Sequence, residues 1–227
     1  MTLPARSTGF ADLALREFVD RLASADPTPG GGAASAVAAS LGGALVAMVA
    51  GLSQDRPRYA EHAALHQWGK AEGRRLADDL LRLADEDAAA YEVLAAAMKL
   101  PKDTDSEKAN RRAAMRAAAR EATDAPLDAV IAARDVVRAA EALAGRSNVN
   151  AASDLNVAAL LGLAAARGAA ENVLVNLPFL GDEAYAAEAR TRVEQLLAET
   201  ERLSQEVHRV VESGEGRTPR LPGTQLA

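Results

Sequence analysis

From residue 13 onward the apolar positions recur with a period near 3.6, and no segment shows the strict alternation of a strand, so the chain reads as helix throughout. Leu15, Phe18, Val19 and Leu22 fall at i, i+3, i+4 and i+7 and predict a first helix over about Leu13 to Ala25, laid on a core by that stripe. Asp26-Pro-Thr-Pro-Gly-Gly-Gly32 cannot continue it, because two prolines impose extended geometry and three glycines permit close backbone approach. This turn feeds a helix from Ala33 to about Leu52 that is apolar all round and rich in Ala, Gly and Ser, a composition suited to burial among close neighbours. A long amphipathic segment from Tyr59 to Leu100 follows, with a predicted break near Gly69 or Gly73 and a stop at Pro101. Thr104 and Glu107 form a capping-box pattern that starts the next helix, which is expected to kink or restart at Pro126 before reaching about Leu143. A loop over Gly145 to Ser153, a helix stopped by Pro178, and a last helix over about Asp182 to Ser213 complete the pattern. The Gly- and Pro-rich tail, 214–227, is expected to be disordered.

Composition sharpens this into a fold class. Of the 227 residues, 49% are hydrophobic but only 3% aromatic, so the core is built from Ala, Leu and Val rather than from strand formers. The expectation is an all-α, single-domain, multi-helix bundle over residues 1–227 with a long buried small-residue helix. Ala-rich helix faces often continue into a subunit interface, which makes a homodimer the expected assembly.

Charge and residue usage remove several function classes. A net charge of -6 gives no electrostatic reason to bind nucleic acid. With no cysteine, disulfides, thiol nucleophiles and Cys-ligated zinc are excluded. His62 and His66 stand at i, i+4 without an HExxH pattern, so a surface helix face is expected there and no metal site. The stretch from Pro27 to Gln54 is uncharged and long enough to span a bilayer. Its Ala, Gly and Ser contribute little insertion energy, so a buried bundle helix and no membrane association are expected. Met1 to Ala11 lacks a basic region followed by an apolar run, so no signal peptide is read and the cytoplasm is the expected location.

Three segments carry more polarity than a plain bundle needs. Gly30, Gly31 and Gly32 open into a helix N-terminus that also holds Ser35; such an end can bind an anion, or the glycines simply allow a tight turn. Ser147-Asn-Val-Asn-Ala-Ala-Ser-Asp154 offers Asn148, Asn150, Ser153 and Asp154 where a helix begins, as ligands or as an N-cap. Further along, Asn172 and Asn176 share one face and need partners in each other, a backbone or a ligand. Asp87 and Tyr91 also stand at i, i+4, within an acidic run of the kind that is usually solvated.

Taken in order, Asp26-Pro-Thr-Pro-Gly-Gly-Gly32, Glu86-Asp87-Ala88 with Leu100-Pro101-Lys102, Asn148 through Asp154, and Gly168-Ala-Ala-Glu-Asn-Val173 with Asn176-Leu177 resemble the cyclodeaminase domain of formimidoyltransferase-cyclodeaminases and their stand-alone bacterial relatives, some of them methenyltetrahydrofolate cyclohydrolases. The resemblance covers nearly the whole chain and departs from the pattern at Ser147 and Asn156, where glycine is common. It implies an all-helical dimer with a folate site near the glycine turn. It also implies a tetrahydrofolate derivative as substrate, no cofactor beyond it, and cyclodeamination of 5-formiminotetrahydrofolate with methenyltetrahydrofolate hydrolysis as the alternative. A non-catalytic ligand-binding or scaffold protein is the rival from another class. On this reading Asp87 or Asp154 is the general acid/base, Asp154 otherwise anchoring the pterin. Asn148, Asn150, Ser153 and Asn172 orient the substrate, with Ser35 and Asn176 beside them. The Gly30 to Gly32 backbone and Lys102 favour the glutamate carboxylates.

Overall fold

The computed structural model describes residues 9–222. The N-terminal residues 1–8, part of the stretch without a signal-peptide pattern, and 223–227, the end of the expected disordered tail, lie outside the described residues. Six α-helices follow a short 3-10 turn at Phe10–Asp12: α1 (Leu15–Leu22), α2 (Gly31–Ser53), α3 (Ala63–Met98), α4 (Asp105–Leu143), α5 (Ala152–Leu180) and α6 (Glu183–Ser213). Among the described residues there is no strand, as the periodicity requires. The long helices form one bundle: α2 packs on α3, α5 and α4, and α6 covers the outer side of α4 and α5. Leu65, Leu76, Leu80, Leu94, Leu143 and Leu155 are fully buried at its centre, each worth about 2 kcal/mol of apolar transfer free energy.

The seams between helices are made by small residues. A methyl group on Gly73 of α3 would sit 2.6 Å from both the Ala47 nitrogen and the Gly43 oxygen of α2, so the two backbones touch there. The helix runs unbroken from Ala63 to Met98: Gly73 faces a backbone too close for any side chain, and Gly69 packs tightly on Leu143 and Ala50, so both glycines serve packing and neither breaks the helix. Two prolines likewise fail to interrupt their helices. α4 passes through Pro126, and α5 passes Pro178 to end at Gly181 in the left-handed conformation. The capping box is present, with the Glu107 N–H donating to Thr104 Oγ1 at 3.2 Å and the Thr104 N–H donating to Glu107 Oε2 at 2.8 Å.

Two expectations are corrected. The stripe on α1 does not lie on a core: Phe18 is buried, stacked edge-on against Phe10, while Leu15 and Val19 stay exposed. The tail does not leave the bundle at Gly214. The Arg217 N–H donates to the Gly145 carbonyl at 2.9 Å, and Arg146 Nε reaches the Thr218 carbonyl at 2.7 Å. Composition favours disorder there, but a buried charge overrides it: Glu141 of α4 is 0% exposed and pairs with Arg217 at 2.7 Å and Arg220 at 2.8 Å. A chain ending at Ser213 should therefore lose about 3–5 kcal/mol in urea denaturation, the cost of a buried charge without its partner. Replacing Glu141 by Met in that shortened chain should recover most of the loss.

Candidate active site

The N-terminus of α2 forms the floor of a cleft of about 280 Å³, with Gly30, Gly31 and Gly32 on one side, Asp87 and Tyr91 of α3 on another, and Asn172 and Asn176 of α5 opposite. Three consecutive acidic residues of α3 diverge here because helical geometry turns each by about 100°. Asp85 accepts from the Phe10 N–H at 2.8 Å and fixes the N-terminal turn. Glu86 pairs with Arg82 on the surface. Asp87 turns inward onto the first turn of α2, where a methyl group on Gly32 would lie 2.5 Å from its Cγ. Gly30 offers α2 no side-chain cap, so the Asp87 carboxylate, facing the Ala33 N–H, occupies the place of one. Burial pushes the Asp87 carboxyl above the usual aspartate range, and the Ala33 N–H opposes that shift in part. The glycine turn is tied to α3 by Thr28, whose hydroxyl donates to Glu92 at 3.1 Å, and its Thr28–Pro29 peptide is cis.

The two asparagines of α5 are held by backbone carbonyls. Asn172 Nδ2 donates to the Gly168 oxygen at 2.9 Å, and Asn176 Nδ2 donates to the Ala122 oxygen of α4 at 2.6 Å. Ser35 lies just below the cleft in the α2–α5 seam, its hydroxyl donating to the Gly31 carbonyl at 2.7 Å and packed where Gly168 leaves room. Lys102 stands exposed on the connector between α3 and α4 and does not line the cleft.

The remaining candidates sit elsewhere. Asp154 begins α5 and Asn172 lies near its far end, so about 27 Å separate them at the helical rise of about 1.5 Å per residue. The Asn148 N–H donates to Ser53 Oγ at the C-terminal end of α2 at 2.8 Å, and the Val149 N–H donates to the Tyr59 hydroxyl at 3.0 Å. Asn148, Asn150, Ser153 and Asp154 therefore cluster at the opposite end of α2, next to a second cleft lined by Ser53, Arg56, Tyr59 and His66. Asn148 caps its own turn by accepting from the Asn150 N–H. His62 and His66 are not on a solvated face: both are buried, and the Arg146 carbonyl lies 2.8 Å from His66 Nε2. His62 ends the 3-10 turn Pro57–His62 that precedes α3, and His66 lies in the first turn of α3. Among the described residues no group of three His, Asp or Glu could hold a metal.

Residues 14–195 match the protein family described as formiminotransferase-cyclodeaminase. The chain belongs to that family. A methenyltetrahydrofolate cyclohydrolase of Methylorubrum extorquens is 41% identical over 201 residues, 88% of this chain and 96% of that protein. The formimidoyltransferase-cyclodeaminase of Sus scrofa is 35% identical over 82% of this chain, which spans 34% of that longer protein. The crystal structure of formiminotetrahydrofolate cyclodeaminase from Thermotoga maritima superposes with a TM-score of 0.81 at 30% identity, covering 89% of this chain and 98% of that one. The family assignment agrees with the order of motifs in the sequence, and the all-α bundle is the fold of that neighbour.

Because the folded state raises the Asp87 pKa, ionising this carboxyl opposes folding: its contribution to stability is full below the ordinary aspartate pKa and is lost as pH rises through the folded value. An Asp87→Asn protein should accordingly be at least as stable as wild type at pH 7 in chemical denaturation, with the advantage vanishing below about pH 4.

Proposed function

We propose that the cleft at the start of α2 binds the pterin of a reduced folate and that Asp87 moves the proton in addition and elimination at the carbon carried by N5 and N10. The observation that supports this most directly is one half-buried carboxylate of raised pKa set among backbone N–H groups and two fixed amides. In cyclodeamination, N10 attacks the carbon of the protonated formimino group on N5 and the N10–C bond forms. Asp87 takes the N10 proton and returns it to the amine, and the C–N bond breaks with loss of ammonia. In hydrolysis, a water oxygen bonds to the methenyl carbon and Asp87 passes one water proton to N5 as the C–N5 bond breaks. The second water proton leaves for solvent as the 10-formyl group forms. Neither reaction changes an oxidation state, so no cofactor beyond the folate is required. Water addition is put first, because the 41% identical relative of matching length is named for it. Cyclodeamination is the second reading, favoured by the structural neighbour.

The same reading includes a cytoplasmic homodimer. Leu41, Leu45, Met48 and Leu52 form an open apolar face on α2, beside exposed Val157 and Leu160 of α5. Both helices are long and apolar enough to cross a membrane, but charged residues run along the outer sides of α3, α4 and α6, so a second copy is the better cover for this face. A two-fold axis crossing α2 near Leu45 would run the partner's α2 antiparallel. The loop at the C-terminal end of one α2, carrying Asn148 to Asp154, would then lie beside the glycine turn of the other. The cleft of one protomer, at the small end for ligand sites at about 300 Å³, would be completed in this way, and both sets of polar residues would serve one substrate.

Purified protein should accelerate loss of the near-ultraviolet absorbance of 5,10-methenyltetrahydrofolate, or its appearance with ammonia from 5-formiminotetrahydrofolate. If neither rate exceeds the uncatalysed one, a non-catalytic protein is the correct reading. Asp87→Asn should lower turnover by about 10²-fold or more. The wild-type rate should fall on acidification at a pH above that of a solvated aspartate, because the basic form of a group with raised pKa is required. Mixing inactive Asp87→Asn and Asp154→Asn proteins should restore activity through heterodimers with one intact composite site; no recovery after verified subunit exchange would rule out the shared site.

A further inference from the structure

Pro126 stands inside α4 and has no N–H, so the carbonyl of Ala122 one turn earlier is left without its helical donor. Ala122 and Pro126 are both buried, where an unmatched carbonyl is costly. The donor comes from another helix: Asn176 Nδ2 of α5 reaches the Ala122 oxygen at 2.6 Å. A carbonyl can only accept, so this bond fixes which end of the Asn176 amide faces α4. Its nitrogen is held there, and its oxygen is the end left for a ligand in the cleft that Ala122 and Asn176 both line. Asn172 is set in the same sense, its nitrogen committed to the Gly168 carbonyl. With the Asp87 carboxylate, these side chains turn acceptor oxygens to a ligand, while each amide nitrogen keeps one of its two N–H groups engaged with backbone.

We infer that Pro126 is a positioning residue: by freeing the Ala122 carbonyl it locks Asn176 as an acceptor, which selects a substrate that offers an N–H donor edge, such as the amino-pyrimidinone side of a pterin. Pro126 touches no substrate and acts through Asn176 alone. The inference rests on the folate reading of the cleft. In Pro126→Ala, a restored backbone N–H claims the Ala122 carbonyl and draws it back along the α4 axis, so the Asn176 amide is free to turn.

The test compares the binding of tetrahydrofolate with that of its 2-desamino analogue, which lacks one donor of that edge, by titration calorimetry. Wild type should prefer tetrahydrofolate by tenfold or more. Pro126→Ala should lose most of that preference while holding its helical circular dichroism and unfolding midpoint, with Pro126→Ser as the second replacement if the first does not fold. Asn176→Ala should lose it equally, and the double variant should be no worse than either single one, since both changes act on one interaction. A Pro126 variant that keeps the wild-type preference, or that weakens both ligands by the same factor, overturns the inference. Wild-type protein that binds neither ligand would instead overturn the folate reading, which keeps the two failures apart.

Discussion

The backbone contact between α2 and α3 at Gly43 and Gly73 is the constraint on which the rest of the molecule depends. Only helices without side chains at the crossing can approach this closely, and the approach fixes where the first turn of α2 falls along α3. That position sets Asp87, nearly four turns beyond Gly73 at about 3.6 residues per turn, against the open N–H groups of α2. A slightly wider seam would leave the carboxylate in water and the helix end uncapped. Packing and chemistry are thus one requirement here: the small residues that let the core close are the ones that desolvate the acid.

The polar interior follows a second rule, that backbone or charge left unmatched by one element is matched by another distant in sequence. Ser53 of α2 takes the N–H of Asn148, and Asn176 of α5 takes the carbonyl freed by Pro126 of α4. Each such bond is modest, about 1 kcal/mol net, but each is satisfied in one register alone. Alanine seams are smooth and would tolerate sliding by a turn. These cross-links select one arrangement from several of similar apolar burial.

Much of the fold was legible because helix periodicity and capping are local. The Thr104–Glu107 box and the stop after Met98 needed nothing beyond neighbouring residues. Gly73 and Pro126 misled as helix breakers, since each meets a partner on another helix that no single segment reveals, and Pro178 lies inside the last turn of α5, two residues before its end. The α1 stripe misled in the opposite direction, an apolar face with no partner within the chain. In the candidate site, Asp87, the glycine turn, Asn172 and Asn176, named as candidates from the sequence, line one cleft. Asn148 to Asp154 joined them in sequence order but stand at the other end of the bundle, because motif order carries no information on helix length as distance. Thr28 and Glu92, which fasten the turn, were missed: each is an ordinary surface residue type, and only the folded chain brings them together.

The pairing of Glu141 with Arg217 and Arg220 has a consequence for how the protein is made. A growing chain emerges in order, and the counter-charges for a buried residue in the last turn of α4 follow the whole of α6. Until they leave the ribosome, the last turn of α4 cannot settle into the core without stranding an anion, so this end of the bundle closes last. Completion of the core is thereby tied to arrival of the segment beyond the last helix, and chains halted before it carry a built-in mark of being unfinished.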